Sequence, residues 1–142
     1  MRIIASVIGG GVGGAGSLLV TDDFAQRYPV TTRAVVRAVV KAARWSSLPE
    51  NRSTFLDVSA LGGIPRNVLA EELPGALGPY VNPLIDDYVV GDFKGATAFA
   101  TQHGIIRTPI DVPAWVDRSF IDGALADLRL QHFWRPRPEL VR

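Results

Sequence analysis

The sequence predicts an α/β chain that is mostly helical, with two short strands near its N-terminus. Three observations carry this reading. Residues Ile3 to Val20 hold no charge, and glycines at 9, 10, 11, 13, 14 and 16 split them into two apolar pieces. Beyond Val20, apolar side chains recur at helical spacing, as in Val36, Val39, Val40 and Ala43. Between the helical runs stand clusters of Pro and Gly, which end regular structure.

Taken in order, Arg2 to Ile8 reads as a buried strand, with Ile3, Ile4, Val7 and Ile8. Gly9 to Gly16 is a loop, and Leu18-Leu19-Val20 is a second short strand. Thr21 or Asp22 can cap a helical turn that Pro29 interrupts. Thr31 or Thr32 is the expected cap of the next helix, which runs to about Trp45 and buries Val35, Val36, Val39, Val40 and Ala43. Leu48 to Gly63 is broken by Pro49 and by Gly62-Gly63, and Ile64 to Leu73 is a short helix with Pro65 in its first turn. Leu73 to Pro83 is loop. The following helix is expected to bury Ile85, Tyr88, Val89, Phe93, Ala96, Phe99 and Ala100, and Gly104 ends it in a left-handed conformation. Pro109 keeps the link to the last helix extended, and that helix buries Phe120, Ala124, Leu125 and Leu128. Two strands make no stable sheet alone, so something must cover them.

The 142 residues suffice for one modest domain. With 15 basic and 14 acidic residues the net charge is +1, which leaves no electrostatic footprint for nucleic acid. Arg33, Arg37 and Lys41 fall four apart with Arg44 beside them, a pattern that usually marks a solvated helix face. The absence of Cys removes disulfides and thiol chemistry. His103 and His132 have no ligand spacing, and no metal or cofactor is expected from them. The run Ile3 to Val20 is too Gly-rich for a membrane span, and it has no compact apolar centre of a signal peptide.

Gly9-Gly10-Gly11-Val12-Gly13-Gly14 matches the glycine spacing of a dinucleotide site. That chemistry needs a helix immediately afterwards to present its N-terminus to pyrophosphate, and an acidic residue about 20 positions on. Ala15 to Val20 favours a strand instead, and no acid follows at the required place. An enzyme fragment binding a dinucleotide or flavin on Gly9 to Gly14 is therefore the alternative reading. The acid pairs Asp22-Asp23 and Asp86-Asp87 are better explained as helix caps than as catalytic groups, because adjacent helical residues point about 100° apart. No Gly-x-Ser-x-Gly nucleophile turn is present. Trp45, Trp115 and Trp134 stand near helix ends, as packing anchors with one edge in water.

Three stretches together resemble the nitrate/taurine/sulfonate type of ABC-transporter solute-binding protein. They are Leu18-Leu19-Val20-Thr21-Asp22-Asp23-Phe24-Ala25-Gln26-Arg27-Tyr28-Pro29 with the Ala/Val helix after it, Phe99-Ala100-Thr101-Gln102-His103-Gly104-Ile105-Ile106, and Val116-Asp117-Arg118-Ser119-Phe120-Ile121-Asp122-Gly123-Ala124-Leu125. The resemblance implies the mostly helical C-terminal part of a two-lobed periplasmic-binding-protein fold, without enzymatic activity. Residues 1–20 would be the strand and Gly-rich loop left from the second lobe and its crossover. Residues 21–131 would be the helical part, and 132–142 an irregular tail. It further implies a small-molecule solute such as a sulfonate, taurine, nitrate or bicarbonate, a membrane permease as partner, and an extracytoplasmic place. No signal peptide is evident, which leaves a cytoplasmic place open. The family's first half would be missing, so exposed apolar surface is expected where that lobe, or a second copy, would dock. Gly11, Gly13, Gly14 and Ser17 are the candidate ligand contacts, offering backbone N–H groups and a hydroxyl to an oxyanion.

Overall fold

The computed structural model describes residues 2–8 and 15–137, with side chains from Gly16 onward. Two strands, β1 (Arg2–Ile8) and β2 (Ala15–Val20), pair antiparallel, with a register irregularity between Ile3 and Ala5. Helices α1 (Asp22–Arg27), α2 (Pro29–Ser47), α3 (Arg52–Ala60), α4 (Arg66–Glu72), α5 (Asp87–Gln102), α6 (Val112–Trp115) and α7 (Ser119–Leu128) follow. A short 3₁₀ turn, Pro49–Asn51, joins α2 to α3. The mostly helical chain with two N-terminal strands is as the sequence predicts, and β2 begins three residues before the expected Leu18.

The cover over the strands is the pair α2 and α7. β1 lies against both helices, while Leu18 and Val20 of β2 pack on the core and Leu19 points away, 41% exposed. This is the alternation of a sheet with one buried face. The core itself is the seam of α2 and α7: Val36, Val40 and Ala43 meet Ile121, Ala124 and Leu125, with Ile85, Val89 and Trp134 closing the ends. Ile121 is 1% exposed and Val36 and Val40 are fully buried. Small Ala43 and Ala124 let the axes approach, and Gly123 goes further. A Cβ there would stand 3.2 Å from Nη2 of Arg33, which lies across α7.

The helix starts follow local chemistry. Thr21 caps α1, its hydroxyl accepting from the Phe24 N–H at 3.2 Å. The expected cap of α2 at Thr31 or Thr32 is corrected by the structure. The helix begins at Pro29, whose fixed φ and missing N–H suit a first turn. Thr32 is therefore already inside, 2% exposed, and its hydroxyl donates back to the Tyr28 carbonyl at 3.0 Å. In α4 the helix starts one residue after Pro65. Asp86 caps α5 and Asp111 caps α6, each carboxylate accepting one backbone N–H of the helix it starts.

The expected buried face of α5 holds only at its beginning. Val89 is fully buried and Tyr88 and Phe93 pack on the core, but Phe99 is 57% exposed and Ala96 is also exposed. Its period is helical, yet its second half has no fully buried residue, and Pro109 and Ile110 face it across a cleft. The Phe99 ring instead meets His103, with centroids 4.2 Å apart. Gly104 ends the helix at φ +67°, and the Ile105 N–H reaches back to the Ala100 carbonyl at 2.8 Å. In α7 the expected Phe120 and Leu128 are only partly buried, and Ile121 takes the central place.

The last helix ends in the same left-handed manner without a glycine. Arg129 stands at φ 55°, and the Leu130 N–H bonds the Leu125 carbonyl at 2.9 Å. An L side chain in that region costs about 1–2 kcal/mol, partly offset in glycine by its greater chain entropy. Arg129→Gly is expected to raise unfolding free energy by roughly 0.5 kcal/mol, read from urea denaturation. In the same assay Ile121→Ala is expected to lower it by about 2–5 kcal/mol. An unchanged Ile121→Ala midpoint would contradict the α2–α7 seam as the core.

Candidate functional site

Of the four proposed ligand contacts, Gly11, Gly13 and Gly14 lie outside the described residues. Ser17 is the described one. It sits in β2 opposite Ser6, half-buried, on the strand face turned away from Leu18 and Val20. Its Oγ is buried and has no hydrogen-bond partner among the described residues. A buried hydroxyl without a partner is uncommon, because leaving it unmade costs free energy. It is the kind of group that a bound polar atom completes.

The segment after the glycine run overturns the dinucleotide alternative. A pyrophosphate site needs a helix N-terminus there, and the chain instead places β2, antiparallel to β1. A mononucleotide-type βαβ unit requires parallel strands, and this pair is antiparallel.

The other candidates resolve into packing. Asp22 stands in the first turn of α1, and Asp23 pairs with Arg27 at 3.2 Å on the surface. Asp86 is buried as a cap and ion-pair partner, and Asp87 lies 3.8 Å from Arg118. Among the described residues no cluster of His, Cys, Asp and Glu could hold a metal. Three of the four cations of the basic stripe are engaged within the chain. Arg33 lies on Gly123, Arg37 is 3.9 Å from Asp127, and the Arg44 guanidinium covers the Phe133 ring at 5.8 Å. Trp115 meets Phe93 edge-on at 5.6 Å, and Trp134 is buried, while Trp45 keeps 41% of its surface in water.

One cleft that sequence reasoning did not find lies beside Arg33. Pro29, Val30, Arg33, Ser119 and Phe120 line about 400 Å³ at the start of α7. The Ser119 N–H is already taken by Asp117 at 2.9 Å, so this helix start has a carboxylate of its own. No spacing in the sequence brings position 33 to position 119, since only the α2–α7 seam does so.

No protein-family model matches the chain, and no curated protein does. A search of solved structures does find a relative. The crystal structure of a putative sulfonate ABC transporter periplasmic sulfonate-binding protein, SsuA, from Methylobacillus flagellatus KT superposes with a TM-score of 0.77 at 27% identity. The chain has the fold of part of an ABC-transporter solute-binding protein. The match covers 90% of this chain and 38% of that protein, which fits a C-terminal portion and bears out the resemblance seen in the three sequence stretches. That neighbour is described as a periplasmic binding protein of a transporter.

With β2 where a phosphate-binding helix would start, NAD and FAD are expected to leave the melting temperature unchanged at millimolar concentration. A rise with either would reinstate the dinucleotide reading.

Proposed function

We propose that this chain serves solute binding for an ABC transporter, taking a small anion whose head is a sulfonate or a similar oxyanion. Its partner would be a membrane permease, and its place would be extracytoplasmic. The observation that carries this is the likeness to a sulfonate-binding protein over nine-tenths of the chain. The unpartnered Ser17 hydroxyl supports it chemically, because a hydroxyl donates one hydrogen bond to an oxyanion. Gly11, Gly13 and Gly14 would add backbone N–H groups from the same connection, where the missing Cβ atoms permit close approach.

The division of labour follows. Residues 1–20 would present the ligand contacts, residues 21–131 would be the helical scaffold beneath them, and 132–142 a tail. The chain spans 38% of the SsuA-type neighbour, so these contacts would form one part of a closed cleft.

Thermal unfolding against methanesulfonate, longer alkanesulfonates, taurine, nitrate and bicarbonate tests the reading. A ligand present at 100 times its Kd stabilises the folded state by about 2.7 kcal/mol. A rise with one sulfonate is expected, and a flat panel would remove the proposed activity for this chain. Ser17→Ala should leave the free protein equally stable, or more stable by up to about 1 kcal/mol, because it deletes an unsatisfied buried group. It should also remove most of the ligand-induced rise. A Ser17→Ala protein that keeps the full rise would exclude Ser17 as a contact.

A further inference from the structure

The described segment that follows α7 has no regular structure, yet it is held at both of its ends. Residues 131–137 cross from the end of α7 to the start of α5, over a cleft of about 510 Å³ that Ser47, Gly78, Pro79 and Asn82 floor. At the near end Trp134 is buried in the core cluster, and its Nε1–H donates to the Ser47 hydroxyl at 3.1 Å. Ser47 in turn donates to the Ala43 carbonyl at 2.7 Å. In the middle the Asn82 amide donates to the Arg135 carbonyl at 3.1 Å while its Oδ1 accepts from the Leu84 N–H.

The far end is the strongest. Asp86 is 5% exposed, and three donors of Arg137 converge on its carboxylate: the backbone N–H at 2.8 Å, Nε at 2.7 Å and Nη2 at 3.2 Å. Nη2 also donates to the Leu84 carbonyl at 3.3 Å, and the guanidinium lies over the Tyr88 ring at 5.1 Å. A planar fork on a carboxylate fixes orientation as well as charge. The same carboxylate caps α5, its Oδ1 accepting from the Val89 N–H at 3.2 Å. Asp86 therefore belongs at once to the strap and to the helix.

That double use matters because α5 is weakly held elsewhere. Beyond Phe93 it has no fully buried residue, Phe99 is mostly exposed, and Pro109 and Ile110 face its second half across a cleft. Its attachment to the α2–α7 core is at its base, through Val89 with Tyr88, Val90 and Phe93, and α6 adds Trp115. We infer that residues 131–137 are a latch, and that the grip of Arg137 on Asp86 sets how firmly the α5–α6 arm, residues 87–115, is fixed to the α2–α7 core. When the strap is released the arm loosens while the seam beneath it stays folded. Regions with few buried apolar contacts open locally at lower free energy than the core, and the latch is what closes that gap here.

Hydrogen exchange of the full chain tests this, and Asp86→Asn is the discriminating variant. Asn caps a helix as well as Asp does, so the cap survives while the charge on which Arg137 closes is gone. Amides of residues 87–102 are expected to exchange at least 10-fold faster in Asp86→Asn and in Arg137→Gln, with α2 and α7 unchanged. Arg137→Lys, which keeps the charge and loses the fork, should fall between and serves if Arg137→Gln does not fold. Ser47→Ala frees only the near end, and should speed exchange at 131–134 without touching α5. Unchanged α5 exchange in both Asp86→Asn and Arg137→Gln would overturn the latch. So would an equal acceleration across α2, α5 and α7, which would mean general destabilisation.

Discussion

The seam between α2 and α7 is the constraint on which the other contacts depend. A two-stranded sheet cannot bury enough surface to stand alone, and here it gains a floor only because Val36, Val40, Ile121, Ala124 and Leu125 already form one apolar surface. The seam joins positions almost 90 residues apart, so the chain must traverse α3 to α6 before its core can close. Small residues set how near the helices come. Ala43 and Ala124 lie at the contact, and Gly123 leaves room for Arg33 to lie across the neighbouring helix. A larger residue at any of these sites would push α7 outward and lift the floor from beneath the strands.

Around that apolar seam the structure adds a few polar ties. Ser47 accepts from Trp134 and donates to Ala43, and Asn82 both donates and accepts across two loops. Asp86 takes four hydrogen bonds, one from the helix it caps and three from Arg137. Burying a carboxylate to this degree is tolerable only with such partners. These ties decide where irregular chain runs, which apolar contact alone would leave loosely specified. Ser17 Oγ and Arg137 Nη1 are the contrast, buried polar atoms that the described residues do not complete.

The likeness to part of a sulfonate-binding protein rests on how these elements are arranged, since no family model matches the chain. A hairpin buried on one face and single apolar side chains at the surface are ordinary in such an arrangement. The strand after the glycine run gives it a different sense from the one its spacing suggests. G-x-G-x-x-G has meaning for nucleotides only at the junction of a strand and a helix, and a second strand follows here.

The sequence by itself determined most element types, because periodicity, caps and breakers act over a few residues, although α3 stands in a stretch it showed only as broken. Thr21, Asp86 and Gly104 perform the local tasks their chemistry implies, and the hairpin's apolar strands are where the uncharged run predicts them. Ser17 was legible as a candidate from its place beside the glycines, although its unsatisfied hydroxyl was not. The tertiary structure alone decided which apolar face found a partner. Phe99 has the same helical spacing as Val89, yet one stands in water and the other is fully buried. Thr32 looked like a cap and became a core residue because Pro29 started the helix a turn earlier. Arg137, in a Pro-rich tail with no periodicity, became the partner of a carboxylate 51 residues away. Burial and pairing over such separations depend on where the whole chain passes, and no local pattern carries that information.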